Sequence, residues 1–278
     1  MNPLKKTTNL VVIMSIYKYD VIEYVRLAVE SVLKQSFSDF VFYIQYDGPV
    51  QKAVDTYLSN IGDKRVHIYR RDKNLGLAHS LNELLNRVMK EQYDYIARMD
   101  ADDISVLDRF EKQLSYLMKN QDVDLVGGAI NEIDGAGNDR GKIVTYPCSV
   151  RECRTFFAKR NPVAHPTVMF RRRFFLKAGW HYPTDFVRNE DTRLWHEGYK
   201  HGCHISNIPD VVLHFRMTDS MFKRRRNGKA FAKSQLLLRK LIIKDLGYGK
   251  IAYVYAYGMY MLMISPSWML KLAYKVLR

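Results

Sequence analysis

Residues 93–103 read YDYIARMDADD, an apolar strand pattern that ends in a cluster of acids. Ligands of an open α/β sheet bind beyond the carboxyl ends of its strands. Side chains two apart on an extended chain point the same way, so Asp100 and Asp102 are expected to project together there. Clustered carboxylates at that edge favour Mg²⁺ or Mn²⁺ shared with substrate phosphates. The alternative is a solvated acidic loop in which Asp103 or Ser105 caps the next helix.

Strand and helix patterns alternate around this stretch through the first 130 residues. Alternation at such short spacing predicts an α/β fold with a mostly parallel central sheet and helices on both faces. Neither GxxxxGK[ST] nor GxGxxG occurs, so the sequence does not support a P-loop or a dinucleotide site. The predicted strands are 10–14, 40–46, 66–69, 93–99, 125–128 and 168–170, and the predicted helices are 19–34, 50–58, 75–89, 107–118, 174–178 and 190–198.

The positive charge of the chain is concentrated at one end. Of a net charge of +15, residues 221–278 supply 13 Lys or Arg against one acid, whereas residues 1–220 hold 31 basic and 28 acidic residues. The body is nearly balanced and the tail carries the excess, so the charge indicates a partner of the tail, for which we favour an anionic membrane surface over nucleic acid. Three cysteines without a CxxC pair argue against disulfides or structural zinc and favour a cytoplasmic location.

Several motifs occur together in the order and spacing of one enzyme family. Residues 9–17, Asp47-Gly48-Pro49, residues 74–77, residues 99–103 and Glu190-Asp191 form the set. As an ordered set these motifs resemble glycosyltransferase family 2, whose members are nucleotide-sugar-dependent enzymes with the GT-A fold. The resemblance covers about residues 9–220, and residues 164–171 and 213–216 resemble the bacterial members that build surface polysaccharides.

The resemblance implies a donor site at the ends of the first, second and fourth strands. Asp47 is expected to hydrogen-bond the uracil of a UDP-sugar, with Ser15 and Tyr17 contacting the nucleotide. Asp100 resembles the acid that lies on the ribose near the metal. Asp102 resembles the direct ligand of the divalent cation, Mn²⁺ or Mg²⁺, that bridges the diphosphate.

The resemblance also implies an acceptor side, where Asp191 is similar to the general base of inverting members. Glu190 and His165 are expected beside it as secondary acceptor residues. Such a base removes the proton of the attacking hydroxyl while the cation stabilises the departing diphosphate. The alternatives are that Asp191 or Glu190 caps a helix or pairs with Arg188 or Arg193, and that His165 packs in the core.

We expect residues 1–220 to form the catalytic domain, with a nucleotide-sugar half to about residue 130 and an acceptor half from 131. Residues 221–278 are expected to form basic, amphipathic and aromatic helices on an anionic membrane surface. Within them, 251–270 is uncharged but rich in tyrosine, which favours a surface-lying segment over burial on the catalytic domain or a membrane span.

The sequence therefore predicts an inverting, metal-dependent hexosyltransferase with a UDP-sugar donor. Its acceptor would be a lipid-linked or oligosaccharide molecule of cell-surface polysaccharide synthesis, at the inner face of the membrane. The alternative is a non-catalytic, basic nucleotide- or nucleic-acid-binding protein, or a scaffold at the membrane.

Overall fold

Strands and helices alternate through the chain, as the sequence predicts for its first 130 residues. The computed structural model describes residues 9–179, 181–186, 188–218 and 228–265. The strands are Leu10–Tyr17 (β1), Phe40–Asp47 (β2), Val66–Tyr69 (β3), Tyr95–Met99 (β4), Ile104–Ser105 (β5), Leu125–Ile133 (β6), Asp139–Val144 (β7), Met169–Arg171 (β8) and Ile205–Arg216 (β9). The α-helices are Ile22–Leu33 (α1), Lys52–Ser59 (α2), Leu77–Val88 (α3), Arg109–Lys119 (α4), Val150–Phe157 (α5), Arg172–Ala178 (α6), Glu190–Lys200 (α7), Gly228–Asp245 (α8) and Ile251–Ile264 (α9).

One sheet contains all of these strands, in the order β3-β2-β1-β4-β8-β6-β9-β5, with β7 paired to β6. The first four strands are parallel, which confirms the prediction for the nucleotide half. Beyond β4 the sheet is mixed, because β8 lies antiparallel between β4 and β6. Strand β9 then runs parallel to β6. Both halves of the predicted catalytic domain therefore share one sheet.

Helices cover both faces of the sheet, as predicted. On one face α1, α2 and α4 share a core with alternate residues of β1, such as Val12 and Met14. On the other face α3, α6, α7 and α8 share a core with the intervening residues, Val11 and Ile13. Because successive side chains of a strand point to opposite faces, a strand segment buried on both sides must be apolar, as β1 is from Leu10 to Met14.

Two predicted helix ends are confirmed by their local geometry. Gly179 follows α6 in the left-handed conformation, with φ +82°, which glycine adopts without steric cost. Helix α7 begins at Glu190 with two acids in its first turn, where they complement the helix dipole. Helix α4 begins at Arg109, so the alternative in which Asp103 or Ser105 caps it is wrong.

The first part of the C-terminal segment packs on the predicted catalytic domain. Leu238 and Ile242 of α8 are buried in the core between α8 and the sheet. The prediction that the apolar side of this helix faces lipid is therefore wrong for these residues. Among the described residues no helix is both long and apolar enough to cross a membrane. The predicted basic cluster at 223–226 and the end of the uncharged run at 266–270 lie outside the described residues.

Candidate active site

Five predicted donor residues line one cavity at the carboxyl ends of β1, β2 and β4. The cavity has a volume of about 500 Å³. Strand register brings the residues together, because Tyr17 at the end of β1 pairs with Asp47 at the end of β2 and β4 lies on the other side of β1. The predicted residues that line it are Ser15, Tyr17, Asp47, Asp100 and Asp102.

Asp47 holds the loop that follows β3. Its buried carboxylate accepts the backbone N–H groups of Leu75 at 2.8 Å and Gly76 at 3.0 Å, and it forms an ion pair with Arg71. Gly76 has a φ of +99°, in the region that favours glycine. Asp47 thus shapes one wall of the cavity, and its proposed contact with uracil stays a prediction.

Three carboxylates form a compact cluster beside this cavity. One oxygen from each of Asp100, Asp102 and Asp103 lies within 4.8 Å of the others. Burial, followed by the charge of Asp100, raises the pKa of Asp102 to about 6. Burial and the two neighbouring acids also raise the pKa of Asp103 well above its usual value.

This electrostatic strain suits a divalent cation, because a bound positive ion would relieve the repulsion between carboxylates. Asp103 accepts the backbone N–H of Arg216 at 2.9 Å through one oxygen, while its other oxygen has no partner among the described residues. Asp100 and Asp102 face the cavity. The oxygen donor set therefore fits Mg²⁺ or Mn²⁺, with Asp102 as the predicted ligand.

Arg98 is a site residue that the sequence reasoning missed. It lies in β4 with 2% exposure, and its Nη1 donates to Asp100 Oδ2 at 2.7 Å. Its positive charge favours the ionised forms of Asp102, Glu190 and Asp191. Arg98 is therefore the cation that the donor-side and acceptor-side acids share. The available signal was one charge inside the otherwise apolar strand YIARM.

Asp191 lies in the first turn of α7, where two neighbouring groups donate hydrogen bonds to its carboxylate. Its carboxylate accepts the backbone N–H of Thr192 at 2.6 Å and the side-chain amide of Asn161 at 3.0 Å. Burial raises the pKa of Asp191 above its usual value. Arg193, one of the alternative partners, pairs instead with Asp185 and Glu197. A half-buried aspartate with a raised pKa is suited to accept a proton.

Glu190 and His165 are less directly placed. Burial, followed by the charge of Asp191, raises the pKa of Glu190. His165 lies 3.0 Å from the hydroxyl of Tyr182 and edge-on to Trp195. Burial and the charge of Arg98 hold the pKa of His165 well below its usual value, so its ring is neutral. These contacts favour the packing alternative for His165, and its acceptor role stays a prediction.

Asp191 lines a second cavity of about 480 Å³, which both C-terminal helices also line. Gln235 and Arg239 of α8 and Tyr260 of α9 line it, together with Arg160 from the loop after α5. The sequence analysis did not predict that the C-terminal helices take part in the site. Their contribution depends on the tertiary packing of α8, which local periodicity does not specify.

The family profile described as "Glycosyl transferase family 2" matches residues 11–180. The chain belongs to glycosyltransferase family 2. The matched region includes β1, the end of β2 and the acidic cluster after β4, and so covers the donor-side cavity. The predicted family resemblance and GT-A fold are confirmed.

Two bacterial glycosyltransferases are among the relatives of this family 2 chain. The amylovoran biosynthesis glycosyltransferase AmsE of Erwinia amylovora is 34% identical over 242 residues, covering 85% of this chain and 87% of AmsE. The UDP-Gal:alpha-D-GlcNAc-diphosphoundecaprenol beta-1,3-galactosyltransferase of Escherichia coli is 29% identical over 231 residues, covering 81% of this chain and 80% of that enzyme.

Solved structures of distant sequences share the fold. TarS 1–349 of S. aureus in complex with UDP-GlcNAc has a TM-score of 0.64 at 12% identity, covering 92% of this chain and 82% of TarS. The mannosyltransferase PcManGT of Pyrobaculum calidifontis, in complex with GDP-Man and Mn²⁺, has a TM-score of 0.59 at 15% identity, covering 90% of this chain and 73% of PcManGT. At these identities the likeness concerns the fold.

Proposed function

We propose that this protein is a metal-dependent, inverting hexosyltransferase that moves a sugar from UDP to a hydroxyl of a lipid-linked or oligosaccharide acceptor. In this proposal it acts in cell-surface polysaccharide synthesis, which is supported by a relative named for the biosynthesis of amylovoran. The observation that carries the proposal is that the candidate acids are divided between two cavities. Asp100 and Asp102 line one cavity, Asp191 lines another, and Arg98 acts electrostatically on both groups.

The donor is assigned to the first cavity. A bound divalent cation would supply positive charge against the diphosphate as the sugar leaves. Asp102 would hold that cation, and Asp100, fixed by Arg98, would lie on the ribose. Ser15, Tyr17 and the loop shaped by Asp47 would enclose the nucleotide.

The acceptor chemistry is assigned to Asp191. Its carboxylate takes the proton of the acceptor hydroxyl as that oxygen forms a bond to the anomeric carbon. The bond from the anomeric carbon to the diphosphate breaks in the same displacement, and its electron pair leaves with UDP. One attack from the face opposite the leaving group inverts the anomeric centre. Asn161 and Thr192 orient the carboxylate for this step.

We further propose that the protein lies peripherally on the inner face of the cell membrane, through α9. Four apolar side chains of this helix are exposed at spacings of three or four residues, which puts them on one side. Residues 221–278 supply the excess positive charge that anionic lipid attracts. The four exposed residues are Ile251, Val254, Tyr257 and Met261.

Vesicle flotation tests this location. The protein should float with vesicles that contain phosphatidylglycerol, and Val254→Asp combined with Met261→Asp should abolish flotation. Leu107→Asp, which changes a similarly exposed residue in the turn before α4, is the control and should float normally. Equal flotation of all variants would contradict an α9 contact with lipid.

A donor panel tests the proposed activity. Release of UDP from UDP-glucose, UDP-galactose and their N-acetylated forms should be observed for one donor, with Mn²⁺ and not with EDTA. Asp102→Ala should abolish the release, whereas Asp122→Asn, at a side chain 70% exposed, should leave it unchanged. No release from any donor, together with unchanged nucleotide binding by Asp102→Ala, would contradict the proposal and favour a non-catalytic protein.

A further inference from the structure

The support of Asp191 comes from two segments that are far apart in sequence. One is the start of α7, where Asn189 immediately precedes the Glu190-Asp191 pair. The other is the loop after α5, from which the side-chain amide of Asn161 donates to Asp191 Oδ2 at 3.0 Å and to Thr192 Oγ1 at 2.9 Å. The direction of the Asp191 carboxylate therefore depends on how both segments are held.

Gln235 of α8 holds the first of these segments. Its Nε2 donates to Oδ1 of Asn189, a residue that is 2% exposed. A buried amide oxygen that loses its donor costs free energy, so this bond favours one position for the start of α7. At the C-terminal end of α8, Asp245 Oδ2 lies 3.2 Å from Nε2 of the buried His196 of α7. Polar groups of α8 therefore meet α7 at two points.

Arg239 of α8 holds the second segment. Its Nη1 donates to the backbone carbonyl of Phe157, which is the last residue of α5 and lies four residues before Asn161. The final carbonyls of a helix have no partner inside the helix, and cationic side chains commonly bind them. The guanidinium also lies 5.5 Å from the centre of the Phe157 ring. Arg239 therefore fixes the point at which the chain leaves α5 for the loop that carries Asn161.

The residues after α8 add to the support of this loop. The hydroxyl of Tyr248, between α8 and α9, donates to the backbone carbonyl of Arg154 in α5. The hydroxyl of Tyr255 on α9 accepts the Nε–H of Arg160 at 3.0 Å. Ala158, the residue after α5, is buried in a small apolar core that it forms with α8 and α9. The loop after α5 is therefore packed against both C-terminal helices.

Gln235 and Arg239 lie on one side of α8, because they are four residues apart. Both line the cavity that Asp191 lines. The hydrogen bonds of Gln235 to Asn189 and of Arg239 to Phe157 join these side chains to the two supports of Asp191. This arrangement favours a role in positioning the base over a role in contacting the acceptor.

We infer that α8 positions the proposed base, with Gln235 holding the start of α7 and Arg239 holding the loop of Asn161. Both are positioning residues, because each acts on Asp191 through another residue. The inference rests on the proposed transferase function and makes α8 a part of the catalytic unit. Loss of either hydrogen bond should slow the step that needs Asp191 and leave donor binding intact.

Release of UDP from the UDP-sugar donor with Mn²⁺, in the absence of a saccharide acceptor, tests this role. Water then attacks the anomeric carbon and gives its proton to Asp191, so contacts with a saccharide do not affect the rate. Gln235→Met and Arg239→Met should each lower kcat about tenfold or more, because small misplacements of a catalytic group slow the reaction strongly. The KM of the donor and the Kd of UDP should stay within about twofold, because both residues line the other cavity.

Two further variants show whether the hydrogen bond itself is responsible. Arg239→Lys keeps a charged donor for the carbonyl of Phe157 and should recover most of the kcat lost in Arg239→Met. Lys233→Met, at an exposed position of α8, is the matched control and should keep the kcat of the parent. The rates are compared at a temperature at which circular dichroism shows each variant folded, and Gln235→Met keeps the test valid if Arg239→Met does not fold.

A double-mutant cycle with Asp191→Asn separates positioning of the base from a general loss of structure. In the Asp191→Asn background, Gln235→Met and Arg239→Met should each lower kcat by less than about twofold, because the group that they position is already lost. A full tenfold loss in that background would overturn the inference. Unchanged kcat in both single variants would overturn it as well.

The same measurements separate this inference from the proposed function. Absence of UDP release by the unaltered protein, or unchanged release by Asp191→Asn, would refute the proposed function and this inference together. A large loss of kcat in Asp191→Asn, with no loss in Gln235→Met or Arg239→Met, would refute this inference alone.

Discussion

Replacement of Arg98 by methionine is expected to lower the free energy of unfolding by about 3 kcal/mol. Arg98 has 2% side-chain exposure and forms an ion pair with Asp100, whose side chain is 31% exposed. Breaking a fully buried pair costs about 3–5 kcal/mol, and the partial exposure of Asp100 places this cost at the lower end. Methionine keeps much of the apolar volume, so the loss reports charge and not a cavity.

Chemical denaturation and a double-mutant cycle measure this effect. A loss of about 3 kcal/mol corresponds to about 6 °C in Tm for a chain of this size. Asp100→Asn should recover about half of the loss in the Arg98→Met background, because it removes one of the carboxylates left without their cation. Mn²⁺ should raise the Tm of Arg98→Met more than that of the parent, since the ion replaces the missing positive charge.

The exposed Arg140 supplies the control for this experiment. Arg140→Met should change the free energy of unfolding by less than about 0.5 kcal/mol. The reasoning is refuted if Arg98→Met is as stable as this control, or if Arg98→Met and Asp100→Asn are additive.

Three other predictions follow from the same contacts. Burial raises the pKa of Asp191, and only its ionised form accepts a proton, so kcat/KM for transfer should fall with decreasing pH around a midpoint above 3.8. A pH profile without this acidic limb would contradict a base at this position. Gly48→Ala should lower the free energy of unfolding by about 1–3 kcal/mol and weaken UDP binding, because Gly48 has a φ of +80° and an added Cβ would lie 2.7 Å from the backbone nitrogen of Asn74. Gly62→Ala, whose added Cβ would meet nothing within 4 Å, is the control in denaturation and calorimetry. Asp124→Asn should lower the free energy of unfolding, measured by thermal denaturation, by about 3 kcal/mol, because this fully buried carboxylate has Arg173 and Lys177 as partners. A change below about 1 kcal/mol would mean that water stabilises those two cations in place of Asp124.

Local signals predicted the nucleotide half well. The apolar run of β1 and the strand at 66–69 both depend on side chains and backbone preferences near in sequence. The donor residues also followed, because parallel strands bring their carboxyl ends to one edge. Helix α5 was missed although Ser149 and Glu152 form a capping box, a signal that is visible in the sequence.

The acceptor half depended on contacts between distant residues. Strand β9 pairs with β6 with register shifts, and β8 enters the sheet between β4 and β6, neither of which periodicity specifies. The apolar residues of α8 indicated an amphipathic helix, but the pattern alone did not distinguish a lipid surface from the protein core. For the same reason, the position of Arg239 beside Asp191 could not be predicted from sequence.

The most direct test of the central claim is the effect of Asp191→Asn on transfer and on UDP binding, measured with the same preparation. The account predicts that transfer falls by about 10²–10⁴-fold, because the asparagine amide cannot accept the hydroxyl proton. The dissociation constant of UDP with Mn²⁺ should stay within about twofold of the parent value, because Asp191 lines a different cavity from the donor residues. Retained transfer, or an equal loss of transfer and UDP binding, would contradict the assignment of Asp191 as the base.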